Sequence, residues 1–215
     1  DLLTGTIIGR PKSGIFRTAD IVGLDVHAHV SATSYDNLPN DESRNVLKTP
    51  DIVSKLIDKG LLGQKSGSGF YKKTEEGILS IDFNNLDYKP QKRVRFDGVR
   101  RAKSYKDIKK RIKTLIYADD KAGKFLWEIT SDSLIYSANR IPEVSDDFVN
   151  IDNAMKWGYG WDIGPFEVWD TIGVNESIEK MKDQNKTVPQ WVKTMIENGR
   201  SSFYKVSNGE KTYFN

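Results

Sequence analysis

Apolar residues recur at helical spacing in two stretches of the chain, Pro50–Gly60 and Pro189–Gly199. The apolar positions are Ile52, Val53, Leu56 and Ile57 in the first stretch and Val192, Met195 and Ile196 in the second. This spacing is typical of one face of an amphipathic helix. Proline suits the first helical position, where its missing N–H has no partner, and glycine suits the left-handed residue after the last turn. The pattern therefore predicts two short helices with matching boundaries.

Longer apolar patterns predict two further helices in the second half of the chain. Phe125, Leu126, Ile129 and Tyr136 trace a helix over about 122–139, and a second one runs over about 146–157 with Ser145 as its cap. Asp25 and Asn175 are also residue types that cap helix N-termini. Strand patterns are short and confined to the two Phe-Tyr segments and to 78–83. The sequence predicts a mainly helical fold.

The chain contains an internal repeat, found by aligning it with itself. Residues 16–25 align without gaps on 166–175, and Gly14 falls on Gly164. The two proline-to-glycine stretches follow in the same order, and each is followed by Phe-Tyr-Lys, at 70–72 and at 203–205. Because two blocks match in the same order, duplication explains the pattern better than chance. We predict a first repeat over 1–75, a basic connector over 76–114 and a second repeat over 115–215.

Composition excludes several classes of protein. The 215 residues include 5 Trp, 9 Tyr and 9 Phe, too many aromatic residues for a disordered chain. The absence of cysteine excludes disulfide frameworks, Cys-ligated metals and thiol nucleophiles. His27 and His29 are the only histidines, and residues two apart on a helix point to different faces, which disfavours a shared metal. No apolar run reaches the roughly 18 residues of a membrane span. Since the chain starts at Asp1 without Met or a signal peptide, we expect it to be part of a longer, cytoplasmic protein.

Positive charge is concentrated in one segment. Residues 89–113 hold twelve Lys and Arg against two Asp, so this segment carries a charge of +10. The rest of the chain carries −7, which leaves a net charge of +3. Such a run indicates a solvated linker leading into a charged helix, a nucleic-acid-binding surface, or a surface that attracts an anionic cofactor or substrate. No nucleic-acid-binding motif accompanies it.

Several motifs together resemble the C-terminal region of the 3-hydroxyacyl-CoA dehydrogenase family. Residues 151–173 read IDNAMKWGYGWDIGPFEVWDTIG, similar to the family's Asp-x-Ala-Met-x-x-Gly and Gly-Pro-Phe-Glu-x-x-Asp-x-x-Gly pattern. Residues 9–25 read GRPKSGIFRTADIVGLD, which looks like the form found in long members with two such domains. Residues 61–72 resemble the family's Gly-x-Lys-x-Gly-x-Gly-Phe-Tyr ending. Residues 76–114 match only loosely.

The resemblance implies an all-α fold of two tandem domains like the C-terminal domain of 6-phosphogluconate dehydrogenase. It also implies an upstream Rossmann domain that binds NAD on a glycine-rich turn and carries the catalytic His–Glu pair. This chain has neither feature, and near Lys124 and Phe125 it lacks the family's substrate-contacting Asn. We therefore expect no catalytic, cofactor-binding or metal-binding residue here. The expectation is a cleft wall for acyl-CoA and a dimer-like contact in the parent enzyme, with a possible homodimer and no activity from this chain alone.

The resemblance places the loop Arg10-Pro11-Lys12-Ser13 at the cleft that faces the missing domain. Two cations and a hydroxyl there would meet CoA phosphates or the thioester. The alternative is a loop whose cations bond to helix C-terminal carbonyls. Asp20 and Asp170, at matching places in the two repeats, are expected to be structural. The glycine-rich turn 63–69 lacks the spacing of a phosphate-binding loop, and we expect a tight turn into an extended segment.

A second function remains open from the sequence. The chain would then be a non-catalytic interaction or nucleic-acid-binding module built on the basic segment 89–113. We expect no membrane partner, and the lack of a nucleic-acid motif favours the enzyme interpretation.

Overall fold

In a computed structural model, residues 1–92, 94–207 and 210–213 are described, and they form ten α-helices and two small antiparallel sheets. Arg93 of the basic segment and residues 208, 209, 214 and 215 of the predicted second repeat lie outside the described residues. The prediction of a mainly helical fold is confirmed. None of the helices in the described ranges is long and apolar enough to cross a bilayer.

The chain divides into two compact units. The first consists of Asp1 and residues 13–94, and the second of residues 2–12 and 95–215. Residues 76–114, for which the sequence predicts a connector, supply strands to the first unit and two helices to the second. The charges of this segment obscured its apolar positions, of which Ile81, Val99, Ala102 and Ile112 are buried.

The first unit combines three helices with a three-stranded sheet of order β1-β2-β3. Its elements are α1 (Phe16–Val22), α2 (Leu24–Asn37), α3 (Asp51–Asp58), β1 (Tyr71–Thr74), β2 (Gly77–Ile81) and β3 (Tyr88–Pro90). Tyr71 pairs with Ser80 and Thr74 with Gly77 across a two-residue turn. The core is small and consists of Leu24, Val53, Leu56, Phe70 and Ile81.

The second unit contains seven helices and a hairpin among its described residues. They are α4 (Asp97–Lys103), α5 (Ile108–Ile116), α6 (Lys121–Asn139), α7 (Phe148–Tyr159), α8 (Pro165–Ile172), α9 (Val174–Asp183), α10 (Gln190–Glu197), β4 (Tyr204–Ser207) and β5 (Glu210–Tyr213). Helix α8 packs against α5, α6 and α7. Its side chains Phe166, Trp169 and Ile172 are fully buried, which places α8 at the centre of the larger core.

Most predicted helix boundaries are confirmed, with local corrections. Gly60 and Gly199 follow α3 and α10 with φ of 71° and 80°, the left-handed conformation that the sequence predicts. Helix α6 spans 121–139, as predicted within one residue. Helix α7 begins two residues later than predicted, because the Asp147 carboxylate, not Ser145, accepts a hydrogen bond from a first-turn amide.

The start of α2 and of α9 is also corrected. Gly23 and Gly173, with φ of 101° and 92°, are the N-cap residues, so Asp25 and Asn175 lie inside the helices and do not cap them. A positive φ lets one residue end a helix and begin the next, and glycine adopts it without a steric penalty.

Candidate functional site

Two carboxylates, the buried Asp152 and the half-buried Asp1, bind the first turns of α8 and α1. Asp152 accepts hydrogen bonds from the Phe166 amide at 2.8 Å, the Glu167 amide at 3.1 Å and the Tyr204 hydroxyl at 2.7 Å. These amides are free donors in the first turn of α8, so the carboxylate acts as an N-terminal cap from another helix. Sequence reasoning missed this role, although Asp152 lies inside the quoted Asp-x-Ala-Met motif.

Asp1 makes the same set of contacts in the first unit. Its carboxylate accepts from the Phe16 amide at 2.7 Å, the Arg17 amide at 3.1 Å and the Tyr71 hydroxyl at 2.7 Å. A Cβ on Gly14 would lie 2.7 Å from the Asp1 Cα, so only glycine fits at this contact. The Gly14–Asp1 contact in this unit corresponds to the Gly164–Asp152 contact in the other.

A second pair of carboxylates, Asp20 and Asp170, binds the start of each hairpin. Asp20 accepts from the Phe70 amide at 2.8 Å and the Tyr71 amide at 2.9 Å. Asp170 accepts from the Phe203 and Tyr204 amides at the same two distances. Both aspartates bind backbone amides, which agrees with the structural role expected of them.

The glycine-rich turn 63–69 packs against Asp20. A Cβ on Gly63 would lie 2.8 Å from the Asp20 Cα, and a Cβ on Gly69 would lie 2.9 Å from the Asp20 carboxylate carbon. The turn then leads into β1, as the sequence predicts. Gly63 and Gly69 make room for Asp20.

Burial raises the pKa values of two carboxyl groups and one tyrosine hydroxyl in this set of contacts. Burial raises the pKa of Asp152 to about 6, while hydrogen bonds from the Tyr204 hydroxyl and the Phe166 amide act in the opposite direction. Burial also raises the pKa of Asp20. The pKa of the Tyr204 hydroxyl is raised by burial and by the nearby Asp152 carboxylate, so Tyr204 remains a hydrogen-bond donor.

The predicted substrate loop begins at a turn that the second unit holds in place. Ile7 and Ile8 are buried in a short 3-10 helix, and the chain turns at Gly9, whose φ is 73°. The Gly9 carbonyl accepts a hydrogen bond from the Asp162 amide at 2.7 Å. This contact places Arg10 beside Trp161, with the guanidinium carbon 3.9 Å from the centre of the indole ring.

Arg10 is a half-buried cation without an acidic partner. No carboxylate in the described ranges lies within salt-bridge distance of it, and burial lowers the pKa of Arg10 to about 10. The cavity beside it, of about 20 Å³, holds one water at most. A phosphate would therefore meet Arg10 at its exposed edge. Trp161 is the residue that orients the guanidinium by stacking.

The rest of the loop is more exposed and passes from one unit to the other. Pro11 and Lys12 are exposed and belong to the second unit, whereas Ser13 is half-buried and belongs to the first. The Ser13 hydroxyl accepts a hydrogen bond from the Thr18 hydroxyl at 2.7 Å. The two cations of the loop, Arg10 and Lys12, both belong to the second unit.

The basic segment forms the exposed sides of β3, α4 and α5. Helix α5 buries Ile112, Leu115 and Ile116. Among the described cations of 89–113, Arg111 is half-buried and the others are exposed. This is the arrangement of a solvated charged helix, and the nucleic-acid alternative stays a prediction.

Nothing in the described ranges gathers three His, Asp or Glu side chains into a metal site, and the two histidines lie on α2. Of the five tryptophans, Trp127 and Trp169 are in the core, whereas Trp157 is 81% exposed.

Comparison with known proteins relates the chain to one family. Residues 1–73 match the C-terminal domain of 3-hydroxyacyl-CoA dehydrogenase. The whole chain is 44% identical over 214 residues to a probable 3-hydroxyacyl-CoA dehydrogenase of Bacillus subtilis, of which it spans 27%. A putative fatty acid oxidation complex trifunctional enzyme of Rickettsia felis is 32% identical over 169 residues, which are 75% of this chain and 22% of that protein. The chain thus spans about a quarter of the length of these relatives.

Proposed function

We propose that this chain is the helical C-terminal part of an NAD-dependent 3-hydroxyacyl-CoA dehydrogenase of fatty-acid β-oxidation. The support is that residues 1–73 match the C-terminal domain of 3-hydroxyacyl-CoA dehydrogenase and that the whole chain is similar to such an enzyme. In the parent enzyme it forms a wall of the acyl-CoA cleft. Hydride transfer requires an upstream dinucleotide-binding domain.

The residues of this chain do not fit NAD. The described ranges contain no glycine-rich turn between a strand and a helix, and the turn 63–69 leads from α3 into β1. His27 and His29 are both exposed on α2, and among the described residues neither forms a salt bridge with a Glu. We assign no catalytic step to this chain, and NAD belongs to the parent.

The observation that carries the substrate role is Arg10, a half-buried cation held against Trp161 with no internal counter-charge among the described residues. Charge is costly to bury, so an anionic ligand at the exposed edge of the guanidinium would stabilise it. Lys12, two residues along the chain, offers a second cation. Phosphate or thioester oxygens of an acyl-CoA have the matching chemistry.

The activity of the chain by itself tests the first part of the proposal. Purified 1–215 should fold and should not oxidise NADH in the presence of acetoacetyl-CoA, because the groups that bind NAD and move the proton are absent. Circular dichroism verifies folding, and absorbance at the NADH band measures turnover. Turnover above background would contradict the proposal.

Substitutions in the intact parent enzyme test the loop. Arg10→Ala and Lys12→Ala should each raise KM for acyl-CoA about tenfold or more, because a hydrogen bond to a charged group contributes about 1.5–3 kcal/mol. Lys59→Ala, an exposed cation in the other unit, is the matched control. An unchanged KM with a lowered melting temperature would assign Arg10 to stability and remove its substrate role. Light scattering on the same samples measures whether the parent forms the homodimer that the resemblance implies.

We also propose that the two units are copies of one ancestral domain. The support is a matched set of contacts in the two units. Asp1 makes the same contacts as Asp152, and Asp20 the same as Asp170. A glycine of positive φ also lies between α1 and α2 and between α8 and α9. The two hairpins also begin at equivalent tyrosines, Tyr71 opposite Ser80 and Tyr204 opposite Tyr213.

A further inference from the structure

Four exposed lysines lie where α4 ends and α5 begins, and none of them forms a salt bridge within the described part of the chain. They are Lys103, Lys106, Lys109 and Lys110. Other cations of these two helices are paired, Arg100 with Asp97 at 3.2 Å and Lys113 with Glu176 at 3.6 Å. We call the four unpaired residues the α4–α5 lysine cluster.

The stability of α5 does not explain the two lysines at its start. Lys109 and Lys110 lie in the first turn of the helix, where the free backbone amides already carry partial positive charge. A cation in this turn therefore destabilises the helix slightly. Asp107 is the one acidic residue in 98–113, and its carboxylate accepts a hydrogen bond from the Lys110 amide at 2.9 Å. Since a single capping carboxylate faces four lysines, the cluster keeps a net positive charge.

The cluster adjoins the proposed substrate loop within the second unit, which contains both 2–12 and 95–215. A Cβ on Gly9 would lie 3.3 Å from the Ile108 Cδ1 atom, and Ile108 directly precedes the two first-turn lysines. Arg10 and Ile112 line the same small cavity. The start of α5 therefore packs beside the loop that carries Arg10 and Lys12.

We propose that the α4–α5 lysine cluster attracts the phosphates of acyl-CoA and so raises the rate at which this substrate reaches the Arg10 loop. The inference rests on the proposed function and extends it, because it assigns recognition of the CoA phosphates to residues outside the loop. Exposed charges act over about 10 Å at 0.1 M ionic strength, so the lysines need no fixed contact with the ligand. Such attraction can raise the rate of encounter about tenfold or more, and it leaves the chemical step unchanged.

A nucleic acid is the other polyanion that these lysines would attract. Two observations favour acyl-CoA. The sequence contains no recognised nucleic-acid-binding motif, and the cluster adjoins Arg10, a half-buried cation held against Trp161. Nucleic-acid binding is therefore an outcome of the test below.

Steady-state kinetics of the intact parent with two thioesters test the proposal. Acetoacetyl-CoA carries the phosphates, whereas acetoacetyl-pantetheine has the same reacting group without them. The ratio kcat/KM is measured for each thioester from about 10 mM to about 1 M ionic strength, over which the screening length falls from about 30 Å to about 3 Å.

Two variants that lose the same number of positive charges are compared with the unsubstituted parent. The cluster variant is Lys106→Gln/Lys109→Gln/Lys110→Gln. The control variant changes three exposed lysines of the first unit and is Lys55→Gln/Lys59→Gln/Lys73→Gln.

The cluster variant should lose activity only towards the phosphorylated substrate. At low salt its kcat/KM for acetoacetyl-CoA should be about tenfold below that of the parent, with kcat unchanged. The difference should shrink as the salt concentration rises, because salt screens the charges. With acetoacetyl-pantetheine the two proteins should agree at every salt concentration, and the control variant should match the parent with both substrates. The cluster variant should unfold at the same temperature as the parent or slightly above it, because two first-turn cations are gone.

Three results would overturn the proposal. Equal losses of kcat/KM with both thioesters would mean that the lysines act through the structure and not through phosphate. Equal losses in the cluster and control variants would mean that the net charge of the protein attracts the substrate. Unchanged kinetics of the cluster variant would remove the substrate role, and weaker binding of a DNA duplex by that variant would then assign the cluster to nucleic acid.

Failure of the proposed function would look different. In that case the unsubstituted parent would turn over neither thioester, whereas failure of this inference leaves the turnover of the parent intact.

Discussion

At the scale of single residues, aspartates at helix starts and hairpin starts hold the chain together. Asp152 satisfies two free amides of α8 and a tyrosine hydroxyl, although it is fully buried. Burying a carboxylate is costly unless it is well hydrogen-bonded. The raised pKa of Asp152 shows that part of this cost remains.

The pH dependence of stability follows from that pKa. A folded pKa of about 6 lies above the ordinary value of 3.8, so the folded state binds the proton more tightly than the unfolded state does. The stability that Asp152 contributes is therefore complete below about pH 4 and is lost as the pH rises to about 6. A displacement of about two pKa units corresponds to about 3 kcal/mol in the free energy of unfolding.

Urea unfolding of the chain and of Asp152→Asn between pH 4 and 7 measures this effect. The difference in unfolding free energy, chain minus variant, should fall as the pH rises. A difference that stays constant with pH would show that Asp152 is ionised in the folded protein throughout this range.

At the scale of elements, glycines determine how closely helices approach the carboxylates. Gly164 has an ordinary φ of −81°, so glycine is needed there for space and not for backbone conformation. A Cβ on it would lie 2.5 Å from the Asp152 Cα, closer than packed atoms approach. Gly158, inside α7, is the opposite case, because a Cβ added there would meet no atom within 4 Å.

The two glycines should therefore respond in opposite ways to alanine. Gly164→Ala should destabilise the protein by about 1–3 kcal/mol, because the added methyl group must displace α8 from α7. Gly158→Ala should stabilise the protein by about 0.5–1 kcal/mol. Position 158 is helical in the folded state, and alanine there lowers the conformational entropy of the unfolded chain. Thermal and urea unfolding measure both, and a Gly164→Ala protein as stable as the original would refute the close packing.

At the scale of the whole molecule, the two units have separate cores of different size. The first unit buries five core side chains, whereas the second buries Phe166, Trp169, Phe203 and many others. A smaller apolar core supplies less stabilisation against chain entropy. All five tryptophans belong to the second unit, so their fluorescence reports on that unit alone.

Unfolding of the 215-residue chain should therefore not be a single transition. Far-ultraviolet circular dichroism, which sees helices of both units, should begin to change at a lower urea concentration than tryptophan fluorescence does. Leu56→Ala should move only the first change and Leu126→Ala only the second, since both leucines are fully buried. Coincident curves for both signals would contradict independent cores.

The sequence by itself determined the family resemblance, the helical class and the positions of α3, α6, α7 and α10. These properties depend on local patterns: apolar spacing for α3 and α10, prolines and glycines at their ends, and the long motif over 151–173. Such signals involve residues that are close in the sequence, so they can be read from the order of residues alone.

Only the tertiary structure decided which residues meet. Asp152 caps α8 from 14 positions away, Asp20 holds a hairpin 50 residues further on, and Trp161 supports Arg10 from a distant part of the chain. The same holds for the segment 76–114, whose charges predict a connector and whose buried residues contribute to both cores. Contacts between distant residues depend on how apolar faces pack, and no local pattern specifies that packing.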